Sequence, residues 1–237
     1  PPEALVAKAK AKTRSADATS GANAAGVASY LTPAVDEVST AEFVDRKSRF
    51  IAHLTHVESE DEASAFIESI RRQHYDARHN VPAWILADGT ERQSDDGEPQ
   101  RTSGMPTLEV LRGAGLRDCC CVVTRYFGGT LLGPGGLVRA YTTAAQRAVE
   151  AAHEAGLLVE KTLVTVVELT IPYAMHDRVR DLAERSGAHD RGSEYGADVT
   201  LTLAFRAGEE VAFVDAMREM AAGQDLCRVS EPSFSVF

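Results

Sequence analysis

A stretch of sixteen residues, YFGGTLLGPGGLVRAY, runs from Tyr126 to Tyr141 and contains five glycines. It follows an apolar run that predicts a strand ending at Arg125, and it leads into a helix predicted to begin at Leu137. The first amides of a helix lack intrahelical acceptors and carry partial positive charge, so glycines there let an anion approach the backbone. Arg139 lies just beyond them. The candidate phosphate-binding residues of this stretch are Arg125, Tyr126, Gly128, Gly129, Gly133, Gly135, Gly136 and Arg139.

The glycine pattern differs from the known nucleotide-binding loops. Pro134 follows Gly133 where a P-loop would have lysine, and the spacing is not G-x-G-x-x-G. A nucleotide-hydrolysing site is therefore not predicted. Glycines in this position can also serve packing alone, as a tight connection between strand and helix. The residues by themselves leave both interpretations open.

A second candidate site is the acidic turn Ser94-Asp95-Asp96-Gly97-Glu98-Pro99. Its carboxylates together with His79 could position a general base, which makes a hydrolase the alternative function. The turn lacks the spacing of a calcium loop, and no histidine pair supports a metal, so no metal or other cofactor is predicted. The competing interpretation is a structural turn whose carboxylates accept backbone amides. The candidate catalytic residues are His79, Asp95, Asp96 and Glu98.

The charge of the chain is unevenly distributed. The net charge is −10, yet residues 112–147 contain five arginines and one acid, Asp118. A local basic patch of this kind can bind a polyanion on an acidic protein. Residues 151–237 carry 15 acids against 8 bases. That excess fits either a solvated acidic face or a docking surface for a basic protein partner, such as a translation-associated protein.

Hydrophobic periodicity and capping signals predict alternating strands and helices. Ser59 followed by Glu62 forms a capping box, and Pro106 is typical of a helix start. Predicted strands cover residues 41–45, 49–56, 81–87, 118–125, 161–171, 189–195, 197–206 and 225–229, and predicted helices cover 60–75, 106–113, 137–155, 175–186 and 209–222. The last 80 residues thus follow the order β-α-β-β-α-β of a ferredoxin-like domain.

These elements predict an α+β protein with a low-complexity or disordered tail at residues 1–37 and domains at 38–155 and 156–237. No apolar stretch is long enough to span a membrane, and the chain starts without the apolar block of a secretory signal. Cys119, Cys120 and Cys121 are consecutive, which suits core strand residues in a reducing compartment better than disulfides. A cytoplasmic location is expected.

Five segments in order along the chain resemble the YigZ/IMPACT family. They are Lys47-Ser48-Arg49-Phe50-Ile51, Asp76-Ala77-Arg78-His79, the acidic turn at 94–99, Gly104-x-Pro106, and the run from Thr124 to Tyr141. The similarity spans about residues 38–150. The chain departs from the family pattern at Asn80, often histidine there, and at Arg101-Thr102-Ser103-Gly104, where Gly-Thr-Ala-Gly is commoner.

The resemblance implies a fold and a class of function. The first domain should share the fold of the second domain of a small-subunit ribosomal protein and of domain IV of elongation factor G. The second domain should be similar to a ferredoxin-like domain of the same factor. Eukaryotic members regulate translation in the amino-acid-starvation response, a stress response, and nucleic-acid or ribosome binding is the usual inference for bacterial members. Some members carry an unsupported peptidase label.

The sequence therefore favours a non-enzymatic regulator of translation that binds structured RNA or the ribosome through the basic glycine-rich segment. Arg78 and Arg101 join Arg125 and Arg139 as expected phosphate contacts, and Tyr126 or Phe127 could stack on an exposed base.

Overall fold

The computed structural model describes residues 28–237, which form two antiparallel sheets and five α-helices. The N-terminal part contains β1 Ser29–Pro33, β2 Val38–Asp45, β3 Ser48–His56, α1 Glu60–Gln73, β4 His79–Ile85, β5 Glu91–Gln93, α2 Gly104–Gly113, β6 Cys119–Tyr126 and α3 Gly133–Glu154. The C-terminal part contains β7 Leu158–Ile171, a 3-10 turn Tyr173–Met175, α4 His176–Arg185, β8 His189–Tyr195, β9 Val199–Arg206, α5 Glu210–Met220, β10 Cys227–Val229 and β11 Ser233–Ser235. The predicted α+β class is confirmed.

The N-terminal domain, from β2 to α3, is built on a sheet with the order β2-β3-β6-β4-β5. Helices α2 and α3 cover one face, where Phe50 and Tyr141 pack edge to face, and α1 covers the other face around Trp84. The hairpin between β2 and β3 turns through Arg46 and Lys47, which both adopt positive φ, as a two-residue hairpin turn requires. Ser59 caps α1, since its side chain accepts a hydrogen bond from the backbone amide of Glu62, as the predicted capping box requires.

Strand β6 runs through the centre of this sheet between both helical layers. Cys119 and Cys121 face α2 and α3, while Cys120 faces α1, and all three are buried. Burial raises the pKa of the Cys121 thiol to about 12, so it stays protonated at neutral pH. The prediction of three core strand cysteines is confirmed.

The C-terminal domain, from β7 to β11, follows the predicted order β-α-β-β-α-β. Its sheet has the order β10-β7-β9-β8, and β11 also pairs with β7. The long strand β7 supplies Val167, Leu169 and Ile171 to a core that α4 and α5 cover through Val179 and Phe213. Strand β11 and the short strand β5 were not predicted from the sequence.

Strand β1 falls within the segment that the sequence predicts as a tail. It pairs with the start of β7, with Ser29 opposite Thr162, and Leu31 forms a bridge to Leu116 in the N-terminal domain. The tail prediction was therefore wrong for residues 29–33, because this short strand takes its order from partners far along the chain. Residues 34–37 form the connection between β1 and β2, and residues 1–27 lie outside the described residues.

Asp118 joins the two sheets. Its Oδ2 accepts a hydrogen bond from the Tyr30 hydroxyl at 2.5 Å and lies 3.3 Å from Lys161 Nζ, while its Oδ1 accepts the amide of Ala87 at 2.7 Å. These partners belong to β1, β7 and the loop that follows β4, so one buried carboxylate links three segments.

Candidate functional site

Helix α3 begins at Gly133, four residues earlier than predicted, so three of the five glycines lie in its first turn. Gly136 is the first residue whose amide reaches a helical carbonyl, which leaves the amides of Gly133 and Gly135 without intrahelical acceptors. No side chain caps this end, where Leu132 occupies the capping position. Gly133 and Gly135 are exposed, so the positive end of a 22-residue helix opens to the surface.

The five glycines play different roles. A Cβ on Gly128 would lie 2.0 Å from the carbonyl carbon of Lys47, and the Gly128 amide donates to Ser48 Oγ at 3.2 Å. Gly136 is buried, and a Cβ there would lie 3.0 Å from Leu132. Packing alone thus accounts for Gly128 and Gly136. Gly129 and Gly133 have open space beside them but adopt positive φ, 83° and 71°, which itself favours glycine. Gly135 has open space and ordinary φ, so a ligand contact stays possible there and at the amides of the other two.

Arg125 lies inside the domain and not on its surface, unlike the exposed phosphate ligand expected from the sequence. It is 6% exposed, because it follows Cys119, Cys121 and Val123 on the β6 face that packs against α3. Its Nη1 donates to Glu98 Oε1 at 2.6 Å. Its Nε is buried and has no hydrogen-bond partner within residues 28–237.

Glu98 is the centre of a buried polar cluster. Its Oε1 also accepts the Tyr141 hydroxyl at 2.9 Å and lies 3.8 Å from His79 Nε2. Burial and the adjacent Glu98 carboxylate raise the pKa of Tyr141 well above its usual value, so this hydroxyl stays a donor. His79 Nδ1 lies 2.7 Å from the carbonyl oxygen of Asp96, which can only accept, so Nδ1 carries a proton.

A cavity of about 400 Å³ lies between this cluster and the start of α3. Glu98, His79 and Arg125 line it on the polar side, and Arg78 is exposed at its rim. The opposite wall is apolar and comes from the segment before α3 and from its first turns. That wall consists of Phe127, Leu131, Leu132, Pro134 and Leu137. The cavity therefore combines a polar floor, in which Arg125 is paired with Glu98, with an apolar wall.

Two of the three carboxylates in the acidic turn have a structural role, because they accept hydrogen bonds from backbone amides. Asp95 Oδ1 accepts the Ser103 hydroxyl at 2.8 Å and the Gly104 amide at 2.9 Å, and Oδ2 accepts the Arg101 amide at 2.7 Å. Burial raises the pKa of Asp95, but these hydrogen bonds outweigh it and lower that pKa below its ordinary value. Asp96 Oδ2 accepts the Asn80 amide at 2.6 Å. The predicted catalytic set is thus divided, since only His79 and Glu98 line the cavity.

Comparison with known proteins agrees with this architecture. Residues 46–149 match the Impact N-terminal domain, and residues 169–224 match a domain of unknown function, DUF1949. The IMPACT family member YvyE of Bacillus subtilis is 36% identical over 208 residues, which cover 87% of this chain and 93% of YvyE. The IMPACT family member YigZ of Escherichia coli is 35% identical over 82% of this chain and 95% of YigZ. The chain belongs to the IMPACT family.

Two solved structures extend the comparison. A crystal structure of a hypothetical protein is 32% identical and covers 89% of this chain and 98% of its own, with a TM-score of 0.55. The two-domain translational regulator Yih1 is 28% identical over 49% of this chain and 47% of its own, with a TM-score of 0.34. None of the helices within residues 28–237 of this IMPACT family member has an apolar stretch of membrane-spanning length.

The remaining predicted site residues lie apart from the cavity wall. Arg139 is exposed on α3, and Arg101 lines a separate groove of about 780 Å³ between α2 and α3. Tyr126 points to the other face of the sheet. Within the part of the chain that the structure describes, no three His, Cys, Asp or Glu side chains are grouped to hold a metal ion. Tyr141 was not predicted as a partner of Glu98, and the apolar wall of the cavity was not predicted either. The consecutive Leu131 and Leu132 beside the glycines were the available signal for that wall.

Tyr126 instead ends a chain of hydrogen bonds on the α1 face of this IMPACT domain. Its hydroxyl donates to Asp76 Oδ1 at 3.1 Å, so His74 Nδ1, at 3.0 Å, must donate to the hydroxyl oxygen. His74 Nε2 then accepts from His53 Nε2 at 3.2 Å, and His53 Nδ1 accepts from the Thr40 hydroxyl at 3.1 Å. Burial, and then the nearby His74, lower the pKa of His53 to about 4. Both imidazoles are neutral in this arrangement.

Proposed function

We propose that the chain regulates translation by binding structured RNA, on the ribosome, through the surface around the start of α3. The observation that supports this most is the uncapped helix start, where the amides of Gly133 and Gly135 are exposed. Arg78 lies at the rim of the same surface and Arg139 is exposed on the same helix. Phosphate groups are the anions that such helix starts bind, and arginines add charge-assisted contacts.

The regulatory part of the proposal comes from the family. Yih1, which is 28% identical to this chain over the part that it matches, is described as a translational regulator. The IMPACT homologue of Saccharomyces cerevisiae is 30% identical over 45% of this chain. We extend a role in translation to this chain on that basis, with RNA as the partner that its own surface favours.

Arg125 has a different part in this function from the one expected at first. Its guanidinium is buried and its charge is balanced by Glu98, so it does not reach a phosphate along an RNA backbone. Of the two expected contacts Arg78 and Arg125, only Arg78 is exposed. Tyr126 is engaged by His74 and Asp76, which leaves Phe127, 44% exposed, as the aromatic available for stacking on a base.

The hydrolase alternative depends on His79 and Glu98 alone, because the oxygens of Asp95 and Asp96 accept backbone amides. Glu98 is held by both Arg125 and Tyr141. A carboxylate oxygen that already accepts two hydrogen bonds is poorly placed to take a proton from a water molecule, so the geometry favours binding over hydrolysis.

The test uses the double variant Arg78→Ala/Arg139→Ala. Its matched control is Arg178→Ala/Arg180→Ala, since both of these arginines are exposed on α4 in the C-terminal domain. We expect the first variant to bind purified ribosomes and a structured RNA hairpin at least tenfold more weakly in low salt, about 1.4 kcal/mol, and the control to bind like the wild type. Equal affinity of the wild type and both double variants would contradict the proposal.

A further inference from the structure

The cavity beneath the start of α3 contains a donor that the protein itself does not satisfy. Arg125 is 94% buried, since its exposed fraction is 6%, and its Nε has no partner within residues 28–237. Arg125 lines the cavity together with Gly133. Buried polar groups in proteins nearly always have a hydrogen-bond partner, so an orphaned guanidinium nitrogen at a cavity indicates a group that binds there.

The charges around the cavity select an anion. Glu98 is the one carboxylate among the lining residues, and Arg125 Nη1 pairs with it. No other lining carboxylate balances the positive charge of Arg78 at the rim or the partial positive charge at the start of α3. The electrostatic field at the mouth is therefore positive.

The volume and the apolar wall of the cavity indicate that the anionic group belongs to a larger ligand with an apolar part. A volume of about 400 Å³ falls in the range of roughly 300–1,000 Å³ typical of small-molecule sites and far exceeds the space that one phosphate needs. Phe127 and Leu131 are 44% and 82% exposed at this wall. Arg125 Cζ lies 5.7 Å from the centre of the Phe127 ring, so the guanidinium lies beside the ring. An exposed aromatic ring with a donor next to it suits a flat ligand that has acceptors on its edge.

We propose that this cavity binds a single nucleotide. Its phosphate lies at the amide of Gly133 near Arg78, and its base packs against Phe127 and Leu131. Arg125 Nε donates to an acceptor on the edge of the base. The nucleotide has two possible sources, an unstacked nucleotide of a bound RNA and a free nucleotide. For the first source, the inference rests on the proposed function. The shared chemistry is a nucleoside monophosphate.

The test measures binding of nucleoside monophosphates, the corresponding nucleosides and inorganic phosphate to the full chain by NMR titration. We expect at least one monophosphate to bind tenfold or more tightly than its nucleoside and than inorganic phosphate, because the cavity holds both ends of the ligand. Monophosphates that bind no better than inorganic phosphate would overturn the inference.

Three variants locate the binding. Leu131→Asp places a carboxylate at the rim of the cavity, and Leu131 is so exposed that folding should be unaffected. We expect it to weaken monophosphate binding at least tenfold, whereas Val211→Asp, on the exposed side of α5, should have no effect. Arg125→Lys keeps a cation beside Glu98 but lacks Nε, so it should weaken the monophosphate and leave inorganic phosphate unchanged. An unaltered monophosphate affinity in Leu131→Asp would contradict the site.

Single-stranded and blunt duplex RNA distinguish the two sources. If Leu131→Asp loses binding to single-stranded RNA but still binds duplex RNA, the nucleotide in the cavity comes from a bound RNA. If the wild type binds monophosphates but no RNA, the proposed function fails and the inference holds for a free nucleotide. If RNA binding depends on Arg78 and Arg139 while no monophosphate binds, the inference fails and the proposed function holds.

Discussion

The acidic turn at 94–99 and the glycine-rich segment at 127–136 make an instructive contrast. The acidic turn concentrates charge, yet the oxygens of Asp95 and Asp96 accept backbone amides of their own domain. The glycine-rich segment carries no charged side chain, yet it leaves helix amides exposed and lies over an unpartnered guanidinium nitrogen. Groups that remain unsatisfied in the folded chain therefore indicate a binding site better than a high density of ionisable residues does.

The largest effect should come from the acidic turn. Asp95→Ala removes the acceptor of the amides of Arg101 and Gly104 and of the Ser103 hydroxyl. We expect the free energy of unfolding to fall by about 4 kcal/mol in urea denaturation, because several charge-assisted hydrogen bonds are removed together. Asp198→Ala, at an exposed turn in the C-terminal domain, serves as the control and should change stability by less than about 0.5 kcal/mol. A similarly small loss of stability in Asp95→Ala would show that the Asp95 carboxylate does not stabilise the turn.

The next effect separates two glycines of the same segment. Gly128→Ala forces a Cβ to within 2.0 Å of the Lys47 carbonyl carbon, so we expect a loss of about 3 kcal/mol in the free energy of unfolding. Gly135→Ala meets open space and adopts ordinary φ, so stability should stay the same or rise by up to about 1 kcal/mol. Equal destabilisation by both substitutions would mean that the two glycines do not differ in role.

A smaller effect concerns the histidines on the opposite face of the sheet. The folded pKa of His53, about 4, lies below its unfolded value, so the unfolded chain binds more protons as the pH falls below about 6.5. The contribution of neutral His53 to the free energy of unfolding should be fully present at pH 8, and the free energy of unfolding should be lower by about 2 kcal/mol at pH 5. Urea denaturation at both pH values tests this for the wild type and for His53→Leu. The same pH dependence in both proteins would exclude His53 as its source.

The sequence predicted the main elements of the fold for identifiable reasons. Ser59 with Glu62 placed the start of α1, and the β-branched run at 161–171 predicted most of β7. The start of α3 was missed by four residues because Gly133 and Gly135 are poor helix formers. Strand β1 was missed because its order comes from pairing with β7.

The site was harder to predict than the fold. Both faces of β6 are covered by helices, so the alternation along the strand gave no sign that Arg125 points inward. Its partner Glu98 lies in a turn 27 residues earlier, and Tyr141 joins them from α3. Such a cluster depends on the three-dimensional packing of β6, the acidic turn and α3, which no local pattern encodes.

The most direct test of the central claim is the salt dependence of RNA binding. The affinity of the wild type and of Arg78→Ala/Arg139→Ala for one structured RNA hairpin is measured across a series of salt concentrations. If these arginines neutralise two phosphates beside the start of α3, the plot of log affinity against log salt should become shallower by about 1.4 to 1.8 in the variant. An identical slope and affinity in both proteins would contradict the claim that this surface binds RNA.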